Sequence, residues 1–251
     1  MKGPLSYVGG KNRIADQIIS IFPKYKTYVE GFAGGAQVLF RKEPSEVEVL
    51  NDLDGELVNF YRVCQSHHEE LLRCLRFTLL SRKVYQTLAK TPPESLTDIR
   101  RASRYFFLQK CSFGGRIARQ SFAVHITKHP TFRPGRIPAM ITETYKRLQD
   151  VQIECLPYEQ VIAKYDRPTT FFYLDPPYHG TKFYNHNFSE DDFKRLASCL
   201  GTLKGKFLLS INDTPFIRNL FANYTTQEIE LYYSLQKHSG RRYTELLIRN
   251  Y

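Results

Sequence analysis

With 251 residues, 42% of them hydrophobic and 14% aromatic, the chain is long enough for one large α/β domain or for a core carrying a smaller insertion. No apolar run approaches the roughly 20 residues that cross a bilayer. Met1-Lys2-Gly3-Pro4 leads into glycines and charges instead of a signal core, so the expectation is a cytoplasmic protein with no membrane contact, and its formal charge of +11 points to a polyanionic partner. Ile14 to Phe22 has helical spacing, and Pro23 stops it. Thr27-Tyr28-Val29 predicts a strand running into the turn Glu30-Gly31-Phe32-Ala33-Gly34-Gly35-Ala36, after which Gln37 to Phe40 reads as the start of a helix. Val47 to Leu50 predicts a second strand, ending in Asn51-Asp52-Leu53-Asp54, with a helix over Glu56 to Val63. From 65 to 149 this βα rhythm breaks. Helical patterns at Glu69 to Thr78 and Ser103 to Gln109 give way to a glycine-, proline- and arginine-rich stretch. Alternation then resumes: a strand at Val151 to Ile153, a helix at Glu159 to Lys164, a strand at Thr170 to Leu174, a serine-capped helix at Ser189 to Leu200 and a strand at Phe207 to Ile211. Gln227 to Leu231 and Thr244 to Ile248 read as a closing antiparallel pair. The whole predicts a βα core interrupted by a basic insertion.

The charge is concentrated. Residues 100–147 hold eleven Lys or Arg against one acid, Glu143, which is +10 of the total +11. Such a block fits a polyanion contact better than diffuse basicity does. Aromatics lie within it (Tyr105, Phe106, Phe107, Phe113, Phe122, Phe132): some belong to a core, and Phe113, beside glycine and arginine, is placed to meet bases. The five cysteines are scattered without a Cys-x-x-Cys pair, which fits free thiols in a reducing compartment. His125 and His129 lack a third ligand nearby and read as a surface pair, so no metal is expected.

Phe171-Phe172-Tyr173-Leu174 followed by Asp175-Pro176-Pro177-Tyr178 carries the most chemistry. Proline cannot extend a sheet, so the strand ends abruptly in a rigid loop at its carboxyl end, where open α/β sheets place their sites. The loop offers a carboxylate, a free backbone carbonyl and an aromatic face, which suit a flat ring bearing an amine. The first βα turn lacks the Gly-x-Gly-x-x-Gly spacing and any P-loop lysine. With Asp52 at the end of the next strand, where a carboxylate commonly holds ribose hydroxyls, an adenosine-bearing cofactor without a pyrophosphate fits, and S-adenosylmethionine fits best.

Four separated pieces then resemble the Dam-type, D12-class DNA adenine-N6 methyltransferases: Tyr7-Val8-Gly9-Gly10-Lys11, Glu30-Gly31-Phe32-Ala33-Gly34-Gly35, Asn51-Asp52 and Asp175-Pro176-Pro177-Tyr178. Weaker likeness continues through Phe183-Tyr184, Phe188, Asp191 and Glu245-Leu246-Leu247-Ile248. Their order is that of the alpha group of amino-methyltransferases. The resemblance implies a Rossmann-like methyltransferase sheet over 1–64 and 150–251, with an inserted, mostly helical target-recognition domain over 65–149. It implies that Asp175 and the Pro176 carbonyl accept the amine hydrogens of a flipped adenine, and that Tyr178 stacks on that base. Tyr7 and Lys11 border the donor pocket, Phe32 and Gly34 face the methionine part, Asp52 holds the ribose, and Asp175 touches the donor as well. Phe113, Arg116, Arg119, Lys128, Arg133 and Arg136 are the expected contacts to duplex DNA, and the enzyme is expected to work as a monomer without an obligate protein partner. The chain departs from the family at Ala36, where a third glycine is usual. It departs again at Lys110-Cys111-Ser112-Phe113-Gly114-Gly115-Arg116, where Dam proteins carry an Asn-Arg-x-x-Phe-Asn-Gly run, so the target sequence stays open. RNA base methylation, of adenine or guanine, is the alternative activity, and a nucleic-acid-binding protein on a decayed core is a third.

Overall fold

Strands β1 (Thr27–Glu30), β2 (Val47–Asn51), β3 (Val151–Glu154), β4 (Thr170–Leu174) and β5 (Lys206–Asn212) are rich in β-branched, aromatic and leucine side chains and pair in parallel. The computed structural model describes residues 1–5, 7, 11–112, 122–123, 129–181, 187–232 and 242–251. Two further strands, β6 (Thr225–Tyr232) and β7 (Arg242–Arg249), close the sheet antiparallel, β7 lying between β5 and β6. The seven-stranded order is β3-β2-β1-β4-β5-β7-β6. From β1 the chain moves outward through β2 and β3, then returns to add β4 on the other side of β1. That reversal is the switch point of an open α/β sheet, where a crevice opens at the carboxyl ends of the strands. The turn after β1 and the loop after β4 both leave the sheet there, tied by Gly31 N–H to the Tyr173 carbonyl at 3.0 Å.

Every residue of β4 is buried, because helices cover both sheet faces. Alternation sorts neighbours to opposite sides: Tyr28, Phe171 and Tyr173 join one apolar cluster, while Val29, Phe172 and Leu174 join the other. The first cluster is covered by α1 (Ala15–Ser20), α2 (Gly55–Ser66), α3 (His68–Arg76), α5 (Asp98–Cys111) and α6 (Ile137–Leu148). The second is covered by α7 (Tyr158–Tyr165), α8 (Glu190–Gly201) and α9 (Pro215–Leu220). The expected serine cap forms as a capping box: Ser189 Oγ accepts from Asp192 N–H, and Asp192 Oδ2 accepts from Ser189 N–H at 2.8 Å. No helix among the described residues is long and apolar enough to cross a membrane.

The fold departs from the sequence expectations at four local elements. The helix expected from Gln37 does not develop; only isolated turns form, such as Phe40 N–H to the Ala36 carbonyl at 3.0 Å. Leu39 N–H is taken instead by the buried Glu30 carboxylate at 2.9 Å, Ala36 sits at φ 46°, and Pro44 blocks extension. Two helices between residues 65 and 149, α4 (Arg82–Lys90) and α6, occupy segments without an evident pattern in sequence. In α6 the burial of Ile137, Ile141, Thr144 and Leu148 is helical, but Thr144 is polar and Pro138 opens the first turn, where its missing N–H costs nothing. Between β5 and β6, α9 likewise occupies a segment without an evident pattern in sequence; its Thr214 cap accepts from Ile217 N–H at 3.3 Å.

Candidate active site

The donor side is assembled from strand ends. Asn51 at the end of β2 donates to the Gly31 and Leu156 carbonyls, each at 3.0 Å, and accepts from Leu156 N–H, also at 3.0 Å, so one amide fastens the loops after β1 and β3. Asp52 accepts from Gly34 N–H and Asp54 N–H, both at 2.9 Å. Burial raises the Asp52 pKa, Asp54 adds to the rise, and the backbone donors oppose it. Gly34 has φ +45°, and a Cβ there would sit 3.2 Å from the Tyr7 ring. Glycine is needed at that position on both counts. Tyr61 donates to the Gly34 carbonyl at 2.8 Å, and the Tyr7 and Tyr105 hydroxyls meet at 3.1 Å. Phe32, Tyr158 and Phe188 form a three-ring wall with centroids 5.6 to 5.7 Å apart. Glu30, buried beneath the turn, has its pKa pushed up to about 8 by desolvation.

The loop after β4 supplies the other side. Asp175 Oδ1 accepts from Lys11 Nζ at 2.6 Å and from Ser210 Oγ at 3.1 Å. Among the described residues no hydrogen bond goes to Asp175 Oδ2 or to the Pro176 carbonyl. One acceptor, Asp175 Oδ2, therefore stands ready where Asp175 borders the cleft, and the Pro176 carbonyl follows it in the chain. Lys11 also donates to the Tyr178 hydroxyl at 2.9 Å and pairs with Glu245 Oε1 at 3.0 Å. Tyr178 in turn donates to Glu245 Oε1 at 3.1 Å. Just beyond, Asn212 clamps the His179 backbone, accepting from its N–H at 2.9 Å and donating to its carbonyl at 3.0 Å.

Two carboxylates and one ammonium thus share a buried corner. Burial pushes the Asp175 pKa up to about 6; Lys11 holds it down and Glu245 raises it. Burial works against the Lys11 charge, but Asp175 and Glu245 prevail and hold its pKa well above the ordinary lysine value.

The structure brings all six candidate cofactor residues, Tyr7, Lys11, Phe32, Gly34, Asp52 and Asp175, onto one cleft of about 490 Å³. Tyr178 joins it through Lys11, whereas Pro176 is buried and does not line it. The candidate DNA contacts are described only in part. Arg136 is exposed at the start of α6, and Arg133 is half-buried with Nε on the Pro130 carbonyl at 3.2 Å. Phe113, Arg116, Arg119 and Lys128 lie outside the described residues, as do Gly9, Gly10, His125 and Phe183-Tyr184.

Part of the basic block turns inward. Arg101 pairs with Glu56, Arg104 donates to the Leu88 carbonyl at 2.7 Å, and Arg147 grips the buried Glu48 and the Leu39 carbonyl. Tyr105, Phe106, Phe107 and Phe132 are core. Sequence reasoning assigned no role to Glu245, Ser210, Asn212 or Glu30. Glu245 offered one signal, an acid ahead of an apolar strand segment, and it is 2% exposed.

The family model of the D12 class N6 adenine-specific DNA methyltransferases matches residues 7–235. Type II methyltransferase M.CviBI of Paramecium bursaria Chlorella virus NC1A is 30% identical over 264 residues, covering 100% of both chains. Type II methyltransferase M1.LlaDCHI of Lactococcus lactis subsp. cremoris is 27% identical over 98% of this chain and 94% of that one. The DNA adenine methylase of Salmonella typhi is 23% identical over 95% and 90%. A solved methyltransferase structure complexed with SAH aligns over 99% of this chain and 54% of that one, at a TM-score of 0.44 and 11% identity, a likeness too distant to carry an inference.

Proposed function

The chain belongs to the D12 class of N6 adenine-specific DNA methyltransferases, and from that premise we propose that it methylates adenine N6 at a specific site in duplex DNA, with the target base flipped into the cleft beside Asp175. S-adenosylmethionine is the methyl donor, and it supplies a transferable methyl group on a sulfonium when bound. The cleft fits it: about 490 Å³ lies within the range of small-molecule sites. At one end the Asp52 carboxylate is an acceptor for ribose hydroxyls, and the walls are aromatic. Phe32 and Gly34 take the methionine part, with Tyr7 and Lys11 at the border.

The observation that carries the reading is the unengaged Asp175 Oδ2 on the cleft, and the Pro176 carbonyl next to it in the chain is the second acceptor we assign. An adenine amine is a weak nucleophile because its lone pair is delocalised into the ring. Two acceptors on its hydrogens favour a pyramidal nitrogen and stabilise the positive charge that develops there. Asp175 need not deprotonate the amine beforehand, since the nitrogen becomes acidic only as the methyl transfers. Tyr178 offers its ring to the base, and stacking of that kind contributes about 1–3 kcal/mol toward the unstacking cost. We assign catalysis to 1–64 and 150–251 and target recognition to 65–149, with Arg133, Arg136, Phe113, Arg116, Arg119 and Lys128 on the DNA. The enzyme acts as a monomer in the cytoplasm.

The test is methyl transfer to unmethylated plasmid DNA with the modified bases mapped. N6-methyladenine in one sequence context is the expected result. Methylation spread over most adenines overturns the specificity, and label entering structured RNA but not DNA overturns the substrate. Asp52→Ala is expected to weaken S-adenosylmethionine binding by about 10- to 100-fold, the worth of a hydrogen bond to a charged group. Calorimetry showing wild-type affinity removes Asp52 from the donor site.

A further inference from the structure

We propose that Glu245 is a positioning residue for methyl transfer, holding both the Lys11 ammonium and the Tyr178 hydroxyl so that Asp175 keeps one oxygen free for the target amine. This rests on the adenine methylation proposed above. Glu245 stands in β7, paired to Asn212 of β5 on one side and to Ile229 of β6 on the other. Asp175 and Tyr178 ride on a loop, and Lys11 comes from the N-terminal segment. Glu245 is therefore the member of the group with a strand hydrogen-bonded on both flanks, and strand-borne groups are the more accurately held.

One Glu245 oxygen does two jobs. Oε1 lies 3.0 Å from Lys11 Nζ and accepts from the Tyr178 hydroxyl at 3.1 Å. The hydroxyl accepts from Lys11 at 2.9 Å, so its direction is fixed at both ends, and the ring follows. Lys11, drawn to Glu245 as well as to Asp175, engages only Asp175 Oδ1 among that residue's oxygens. The other oxygen, Glu245 Oε2, is buried and without a hydrogen-bond partner among the described residues. A buried carboxylate left half-satisfied costs stability, and its presence calls for an explanation in function.

Electrostatics support the same role. The groups facing Asp175 are Lys11, Tyr173 on β4, Tyr178 on its own loop, Ser210 on β5, Glu245 on β7 and Glu30 on β1. Glu245 opposes ionisation of Asp175, so its loss lets Asp175 ionise at lower pH. It also leaves Asp175 as the one carboxylate paired with Lys11 among the described residues, which makes that carboxylate a weaker acceptor.

Single-turnover transfer to plasmid DNA, followed from pH 5 to 8, tests this with Glu245→Gln, Glu245→Asp and Tyr178→Phe. Glu245→Gln is expected to lower the rate about 10- to 100-fold, as small misplacements of reacting groups do. Its acid limb should move to lower pH, and KM for S-adenosylmethionine should stay at the wild-type value. Glu245→Asp keeps the charge but is too short to span both partners, so the rate falls while the acid limb stays. Its loss and that of Tyr178→Phe should be less than additive when combined. A merely structural Glu245 would reduce the folded fraction without moving the acid limb. An unmoved limb in Glu245→Gln overturns the proposal, as do additive losses in the Glu245→Asp/Tyr178→Phe pair if Glu245→Gln does not fold. Absence of DNA methylation by wild type overturns the proposed function instead.

Discussion

Asp175→Asn lowers methyl transfer by about a thousandfold or more, on the scale of losing a preorganised charge-stabilising group, while S-adenosylmethionine binding and folding survive. The substitution keeps size and shape. Its carbonyl would turn to Lys11 and Ser210, which present N–H and O–H donors. That leaves the amide NH₂ facing the target amine, donor against donor. Stability should rise slightly. Burial lifts the Asp175 pKa from 3.8 to about 6, so the ionised carboxylate is a burden on the fold at neutral pH. The sign follows from proton uptake: between those values the native state binds the proton more tightly, so stability falls as pH rises through 6. Wild-type activity runs the other way, falling as pH drops through about 6, because a protonated Asp175 no longer offers the amine an anionic acceptor. Turnover of Asp175→Asn within tenfold of wild type would sink the assignment.

What was legible in sequence was local. The Asp175 loop announces itself because an apolar strand and two prolines are adjacent, and the turn at Gly34 because three glycines follow a strand; that Gly34 is left-handed and packed on Tyr7 shows only in the fold. Glu245 was not legible as a site residue. It reaches Tyr178 from 67 positions away only because β7 inserts between β5 and β6. Nor does Lys11 declare that it will cross 164 positions to bond Asp175. The basic block shows the opposite limit: charge counting marked a cluster, yet Arg101, Arg104 and Arg147 spend their donors within the fold. Linear charge cannot tell a cation facing a phosphate from one capping a carbonyl. Hidden partners matter most where charges are buried, and that is why the second large effect concerns Lys11.

Lys11→Met removes a cation shared by Asp175 and Glu245, whose oxygens lie 2.6 and 3.0 Å from its Nζ. The side-chain volume is nearly kept, so the change is chiefly of charge. Breaking a buried ion pair by deleting one partner costs about 3–5 kcal/mol. For a chain of this size that lowers Tm by roughly 6–20 °C. The loss should depend on pH in a definite direction. Without the ammonium, two carboxylates face each other in a desolvated corner, and at least one holds its proton at higher pH than in wild type. Acids with raised native pKa values stabilise the fold when protonated and withdraw that stability as pH rises. Wild type loses little from Lys11 over the same range, because its pKa is held well above the ordinary lysine value. The gap in Tm between variant and wild type should therefore be wider at pH 8 than at pH 5. Activity should fall at neutral pH and recover in part as the medium becomes more alkaline, since Asp175 then ionises later. The same heat-unfolding series at both pH values decides it: an equal gap would mean that Lys11 acts by packing, and that its charge does not govern the carboxylates around it.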